Sequence, residues 1–420
     1  MASLPIDSFA DLIEPFSRRG VDLGLERLQA ALGELGHPER QFQALQVAGT
    51  NGKGSICTLV EAGLTAAGIR CGLYTSPHLV SWTERIRIGS TPIAAADLRR
   101  ILTQLQPLGL RFDLTPFELV TAAAFVAFAE AGVELAVLEV GLGGRLDATT
   151  CHPQRPLIGF ASVGLDHAEV LGATPAAIAA EKAGVLQPGC RAFSAPQSPE
   201  VAQVLESEAQ RRGAALHWVD PLGPGDWPLG LPGAVQLNNG AVALALLQAL
   251  AGEGWPITTT AIRRGFEAAR WPGRLQRWQW RGRCLLLDGA HNLPAAQQLR
   301  AELDARPERH GLRPGPRLWV LGMLANKQGP EVLTTLLAPG DRAWLVPVPG
   351  HASWTLNRLG DAQPRLLRQL QAAEDLEQAL DAATAAARDS GQDAVVVAGS
   401  LYLLGALLAD TGAAPPPAAG

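Results

Sequence analysis

The run Val47-Ala48-Gly49-Thr50-Asn51-Gly52-Lys53-Gly54-Ser55 constrains this chain more than any other segment. It links Phe42–Ala48, which reads as a strand, to Ile56–Ala67, which reads as an amphipathic helix. A strand, a glycine-rich turn and a helix N-terminus form a phosphate cradle. Backbone N–H groups point into the turn, the helix dipole favours anions, and a lysine neutralises phosphate charge. Gly49, Thr50, Asn51, Gly52, Lys53, Gly54 and Ser55 are therefore candidate nucleotide-binding residues. A nucleoside triphosphate is the expected substrate. The loop departs from the common phosphate-loop pattern, because Val47 occupies the first glycine position and Gly54 separates Lys53 from Ser55. A random glycine-rich turn would explain the glycines, but not Lys, Asn and Ser joining them at a strand–helix junction.

The rest of the composition narrows the class. At 420 residues the chain has room for two or three domains. It is 47% hydrophobic and 18% charged, the balance of an ordinary globular protein. A net charge of −5 argues against a nucleic-acid binder. Cys57, Cys71, Cys151, Cys190 and Cys284 are scattered with no CxxC pair. They read as reduced core thiols, not as a disulfide framework or zinc site. Residues 1–7 lack the basic segment and apolar core of a secretory leader, and no apolar run reads as a membrane span. A cytoplasmic protein is the expectation. The Ala/Pro-rich residues 412–420 are expected to be a disordered tail.

Strand-like runs alternate with helical ones. Strands are expected at Phe42–Ala48, Arg70–Tyr74, Leu135–Val140, Leu157–Val163 and Arg191–Ala195, with helices at Ala94–Leu105, Pro116–Ala131 and Pro175–Val185. Thr115 reads as the N-cap before Pro116. A second alternating series begins near Arg283 and runs to Leu408. It includes strands Cys284–Asp288, Arg317–Leu321, Ala343–Val348 and Ala394–Ala398, with helices Leu293–Ala305, Asp375–Arg388 and Tyr402–Leu408. Such alternation implies an α/β fold with mostly parallel sheets. The expectation is an ATPase domain over 1–278 and a smaller Rossmann-like domain over 279–411, with the active site in the cleft between them.

Chemistry-bearing residues collect at strand ends, where α/β sheets bind ligands. Tyr74-Thr75-Ser76-Pro77-His78-Leu79 follows a strand, so the Ser76 hydroxyl is well placed as a Mg²⁺ ligand. Glu139 ends the apolar strand Leu135–Val140; a buried lone carboxylate is costly unless paired or metal-bound, which favours a metal carboxylate. The glycines of Gly141-Leu142-Gly143-Gly144-Arg145-Leu146-Asp147 let backbone pass close to a charged ligand. In Trp271-Pro272-Gly273-Arg274, Arg274 offers a bidentate fork for phosphate. Ser162-Val163-Gly164-Leu165-Asp166-His167 closes another strand, although a histidine is an atypical ligand for hard Mg²⁺ on chemistry alone.

These segments, in this order, resemble the Mur ligase superfamily. Within it, Gly54 directly after Lys53 resembles the folylpolyglutamate synthase and dihydrofolate synthase branch. The resemblance covers Gln46 to Leu404. It includes Val80-Ser81-Trp82-Thr83-Glu84-Arg85-Ile86, similar to a substrate-flanking loop, and Glu139-Val140-Gly141-Leu142-Gly143-Gly144-Arg145-Leu146-Asp147-Ala148-Thr149. It implies that Ser76, Glu139 and His167 bind Mg²⁺. It also implies that Lys182, in Glu181-Lys182-Ala183-Gly184, is carbamylated and binds a second Mg²⁺, which requires a neutral amine. Asn239, in Gln236-Leu237-Asn238-Asn239, would contact adenine. Asp288 and His291, in Asp288-Gly289-Ala290-His291-Asn292, would grip the nucleotide together with Arg274. Val397-Ala398-Gly399-Ser400-Leu401-Tyr402 also fits. Asn326 and Gln328 flank Lys327 where the branch usually carries acids, so a charge role there is not carried over.

The implied function is an ATP-dependent ligase of the folate pathway. It joins L-glutamate to dihydropteroate, to a reduced folate, or to both through an acyl phosphate. The expected catalytic residues are Lys53, Glu139, His167 and Lys182, and a monomer acting on small molecules is implied, with no nucleic-acid or membrane partner. Single-activity enzymes are the alternatives. A muramyl-type ligase fits less well, because only 48 residues precede Gly49, too few for an additional domain of ordinary size. A non-catalytic nucleotide-binding module and a metal-dependent phosphohydrolase are the other rivals.

Overall fold

The computed structural model describes residues 8–410. The readings of residues 1–7 and of the tail 412–420 lie outside the described residues. By their contacts these residues form two units. The first holds the described residues up to Leu231 together with Val235–Trp271; the second holds Pro232–Ala234 and the described residues from Pro272 onward.

The first unit is built on eight strands: β1 (Gln43–Ala48), β2 (Cys71–Tyr74), β3 (Ile86–Ile88), β4 (Thr91–Pro92), β5 (Leu135–Glu139), β6 (Leu157–Phe160), β7 (Arg191–Ser194) and β8 (Ala215–Trp218). Their order is β4-β3-β2-β5-β1-β6-β7-β8. Pairing is parallel from β2 through β8, and β3 and β4 add an antiparallel edge. β1 lies at the centre, between β5 and β6. A strand covered on both faces must be nearly continuous in apolar residues, and Ala44, Leu45, Val47 and Ala48 are all fully buried. Gln46 is the polar residue among them.

Helices cover both faces. The helix Pro116–Glu130 starts with a capping box in which Thr115 and Glu118 satisfy each other's backbone amides. It delivers Phe125 and Phe128 beside Phe42, with ring centroids 6.0 and 5.7 Å away. Phe128 is fully buried on Gly72, where a Cβ would come within 2.7 Å of the ring. Burying such a ring contributes about 1.5–3 kcal/mol. On the opposite face the helices Lys53–Ala66, Val235–Gly252 and Thr259–Ala268 pack together over β1 and β6.

Val235–Gly252 is long and apolar enough to cross a membrane by length and composition, against the expectation that no run would be. More than half of that segment is buried inside the first unit. It is a core helix there, apolar because protein surrounds it.

The second unit holds β9 (Gln276–Trp280), β10 (Arg283–Leu287), β11 (Leu318–Leu321), β12 (Arg342–Leu345), β13 (Leu370–Ala372) and β14 (Ala394–Ala398) in the order β13-β12-β11-β14-β10-β9. All pairs are parallel except β9 with β10. The two α/β units thus match the expected fold class. By contacts the units divide between Trp271 and Pro272, and β9 pairs along its whole length with β10 inside the second unit.

Strands β3, β4, β8, β9 and β13, at or next to the sheet edges, are additions to the sequence-based reading. They are short or half-exposed, so they lack the apolar run that marks the central strands. The helix expected to stop at Leu105 continues through Pro107 to Arg111.

Candidate active site

The phosphate loop leaves β1 at Ala48 and enters the helix Lys53–Ala66. Gly52, its N-cap, has φ 98°, a left-handed conformation that suits glycine, and a Cβ there would come within 2.5 Å of Asn239 Oδ1. The loop is anchored from β6's side. The Thr50 amide donates to the Ser162 carbonyl at 2.7 Å, and the Thr50 hydroxyl donates to the Gly164 carbonyl at 3.0 Å. Lys53 Nζ donates to the Thr50 carbonyl at 3.1 Å, folding its ammonium back over the turn. Gly54 lies against the Trp271 indole, and Ser55 is buried. The amides of the helix's first turn have no intrahelical acceptor, which makes this end an anion site.

Glu139 ends β5, beside β1, and is buried. Its Oε2 accepts the backbone amide of Ser76 at 3.1 Å, joining the ends of the adjacent parallel strands β2 and β5. Asp147 then fixes the glycine turn after Glu139. Its Oδ2 accepts the Gly141 and Leu142 amides at 3.0 and 2.9 Å, and its Oδ1 accepts the Thr149 amide at 3.0 Å. In the sequence Asp147 stands out only as the residue that closes the glycine run, and that position is the signal for this anchoring role. Burial raises its carboxyl above the usual range, against the hydrogen bonds from Thr149, Leu142 and Gly141.

The same turn presses on the helix Pro175–Ala183. The Arg145 amide donates to the Glu181 carbonyl at 3.0 Å, and a Cβ at Gly144 would come within 2.8 Å of the Lys182 carbonyl. Lys182 is buried, not the solvated lysine that its helix position alone suggests. Burial first, and then the neighbouring charge of Lys53, pull its ammonium down to about 7.

His167 is placed differently from expectation. β6 ends at Phe160, because Ser162 turns away to bridge Asn51 of the phosphate loop. His167 therefore rides a loop, with left-handed φ 51°, before the short helix Ala168–Leu171. Its ring is half-exposed, with Asp166 at 3.9 Å and Glu169 at 3.8 Å.

The segment expected to flank the substrate folds into a tight stack. Glu84 accepts the amides of Leu79, Val80 and Ser81, so it holds the loop's own backbone. Arg85 donates to His78 Nδ1 at 2.9 Å, and its guanidinium stands 4.1 Å over the Trp82 ring. Burial, reinforced by Arg85, lowers His78 to about 3, so its ring is neutral at physiological pH.

Asn239 lies in the helix Val235–Gly252 and donates to Gln236 Oε1 at 2.9 Å. In the second unit, Arg274 packs on Gly289. Asp288 accepts the amides of Leu275 and Ala290 at 3.0 and 2.9 Å, and burial raises its carboxyl against the pull of Arg274. His291 Nδ1 bonds the Gly289 carbonyl at 2.8 Å. The helix starts only at Leu293, capped by Asn292, so Asp288 and His291 sit in the preceding loop. The Lys327 carbonyl accepts the Trp354 indole N–H at 2.9 Å, which pins the segment flanked by Asn326 and Gln328.

Among the described residues, no three His, Cys, Asp or Glu side chains gather as a metal cage. Mg²⁺ is commonly held by one or two carboxylates, waters and substrate phosphates. Glu139 satisfies that chemistry: it is a buried carboxylate at a strand end beside the phosphate cradle.

Comparison with known proteins gives a consistent picture. The family described as dihydrofolate synthetase, C-terminal domain, matches residues 275–410. The chain is 33% identical to the dihydrofolate synthase/folylpolyglutamate synthase of Escherichia coli (strain K12), over 96% of this chain and 94% of that protein. The structure of E. coli FolC in complex with DHPP and ADP superposes with a TM-score of 0.84 at 29% identity, covering 97% of this chain and 99% of that one. The Yersinia pestis bifunctional folylpolyglutamate synthase/dihydrofolate synthase complexed with AMPPNP and Mn ion gives 0.81 at 29% identity, covering 98% and 100%.

Proposed function

Because the chain belongs to the dihydrofolate synthase/folylpolyglutamate synthase family, we propose that it is an ATP-dependent ligase for L-glutamate. The acceptors are dihydropteroate, giving dihydrofolate, and tetrahydrofolate, giving folylpolyglutamates. The observation that carries this reading is the phosphate cradle after β1 beside the Glu139–Ser76 bond, with a buried lysine of lowered basicity, Lys182, that feels the charge of Lys53. The protein acts on small molecules, as a cytoplasmic monomer.

A carboxylate is a poor acylating agent, because its leaving group would be oxide. Its oxygen attacks the γ-phosphoryl of ATP, the bond to the β-phosphate breaks, and ADP leaves. The acyl phosphate is then attacked by the glutamate amine. Phosphate departs with the oxygen that came from the acceptor, and the amine loses a proton. The chain's task is alignment and charge neutralisation.

Lys53 and the amides of 49–55 hold the β- and γ-phosphates. Asn239 packs against Gly52 of the loop and would contact adenine, and Arg274, Asp288 and His291 would grip the nucleotide. The stacked His78, Trp82 and Arg85 offer an aromatic and cationic face to the acceptor. Ser76, Glu139 and His167 would hold one Mg²⁺, and Lys182, carbamylated through its neutral amine, would hold a second. The divalent ions, when bound, offset the charge on the transferring phosphoryl group.

The reading is tested by ¹⁸O transfer. With dihydropteroate labelled in its carboxylate, one labelled oxygen should appear in the released phosphate. Unlabelled phosphate would remove the acyl-phosphate route.

A further inference from the structure

Gln46 is fully buried at the centre of β1, between strands that carry no other polar side chain at its level. A buried amide is costly unless its donors and acceptor are used. Here they are used in one direction. Arg155 Nη1 donates to Gln46 Oε1 at 3.0 Å. Gln46 Nε2 donates to Thr149 Oγ1 at 2.8 Å and Thr150 Oγ1 at 3.0 Å. The Thr149 hydroxyl donates to Asp147 Oδ1 at 2.5 Å, and the Thr150 hydroxyl donates to the Gly144 carbonyl at 2.8 Å. A buried guanidinium is thus connected to a buried carboxylate through an amide and a hydroxyl whose dipoles align. Hydrogen bonds in such chains polarise one another.

The two ends of this chain of bonds touch the elements that carry the site. Asp147 holds the Gly141 and Leu142 amides directly after Glu139. Arg155 Nη2 donates to Gln187 at 3.2 Å, just beyond the helix that carries Lys182. Gln46 itself lies on the strand that leads into the phosphate loop.

We infer that Gln46, with Thr149 and Arg155, is a positioning group for the ligase reaction: it locks the turn after Glu139 to the strand that delivers Lys53. The inference rests on the reading of the site given above. Its buried charges fit it: desolvation pushes Arg155 down to about 10 and raises Asp147. An amide and a hydroxyl lie between them, so the two groups do not touch directly. Gln46 and Thr149 are fully buried, so their effect should fall on turnover rather than on ATP binding.

The test compares full-length wild type, Thr149→Val and Thr149→Ser. Valine keeps the shape and removes the hydroxyl donor; serine keeps the donor. Hydrogen–deuterium exchange across residues 140–147 is followed together with kcat and the KM for ATP. Thr149→Val should speed exchange at Gly141 and Leu142 and lower kcat about tenfold to a hundredfold, the usual loss when support around a metal ligand is removed. Its KM for ATP should stay near wild type, and Thr149→Ser should recover both exchange and kcat. Equal exchange and equal kcat in the Val and Ser variants would overturn the inference. If Thr149→Val does not fold, Gln46→Glu serves instead, because it still accepts from Arg155 but cannot donate to Thr149 when ionised. A wild-type kcat in folded Gln46→Glu would equally overturn it. A wild type that releases no ADP with glutamate would overturn the ligase reading instead, while the exchange comparison would still decide whether the bonds hold the turn.

Discussion

The backbone amide of Ser76 donates to the Glu139 carboxylate at 3.1 Å, so the ends of β2 and β5 are tied where the proposed Mg²⁺ ligands lie. The bond aims a costly buried carboxylate at the strand ends. Glu139→Gln keeps the shape and the acceptor for Ser76 but loses the charge. Turnover should fall by at least about a hundredfold, with a higher Mg²⁺ requirement, because charge stabilisation of the phosphoryl group is weakened. Steady-state kinetics across a Mg²⁺ series checks this, and a circular dichroism spectrum like that of wild type shows that the fold survives.

Lys53→Ala removes the ammonium that folds over the phosphate turn. The variant should fold normally and lose ATP turnover by about a hundredfold or more, as when one charge-stabilising group is deleted. Wild-type-like ADP release would remove the loop from the active site.

Lys182 is buried, and its ammonium is brought down to about 7, so a large neutral fraction is available to react with CO₂ near physiological pH. ¹³C-bicarbonate should therefore give a carbamate resonance in wild type that Lys182→Met lacks. The same spectrum in both proteins would rule out this lysine.

Glu61 gives a stability signature far from the chemistry. It is buried in the helix Lys53–Ala66, with Arg87 at 3.0 Å, yet burial outweighs the ion pair and raises its carboxyl from 4.5 to about 7. The folded state then binds the proton more tightly than the unfolded state. Its contribution is fully present below pH 4.5 and is lost as pH rises through about 7. The difference is on the order of 3 kcal/mol. Glu61→Gln should flatten this part of the stability–pH curve, and denaturant melts at pH 5 and pH 8 measure it.

The central strands, the phosphate loop and Glu139 were legible in the sequence because each is a local pattern: an apolar run, a glycine turn, an acid at a strand end. The strands at and next to the sheet edges were not, since β3 and β9 owe their conformation to partners rather than to their own residues. Lys182 reads in sequence as a surface lysine; in the fold it is buried, on a helix packed against the turn at Gly144, distant in the chain. The set Arg155, Gln46, Thr149 and Asp147 was likewise hidden, because β1 and the segment after β5 meet only in the folded sheet. His167 was placed at a strand end by its apolar approach, whereas Ser162 diverts the chain to the phosphate loop.

The most direct measurement is glutamate-dependent ADP release by the purified protein with MgATP, comparing 7,8-dihydropteroate and tetrahydrofolate as acceptors. The account predicts release with both acceptors and none when glutamate is omitted. Release with only one would reduce the protein to a single activity, and ADP release independent of glutamate, or none at all, would contradict the ligase assignment.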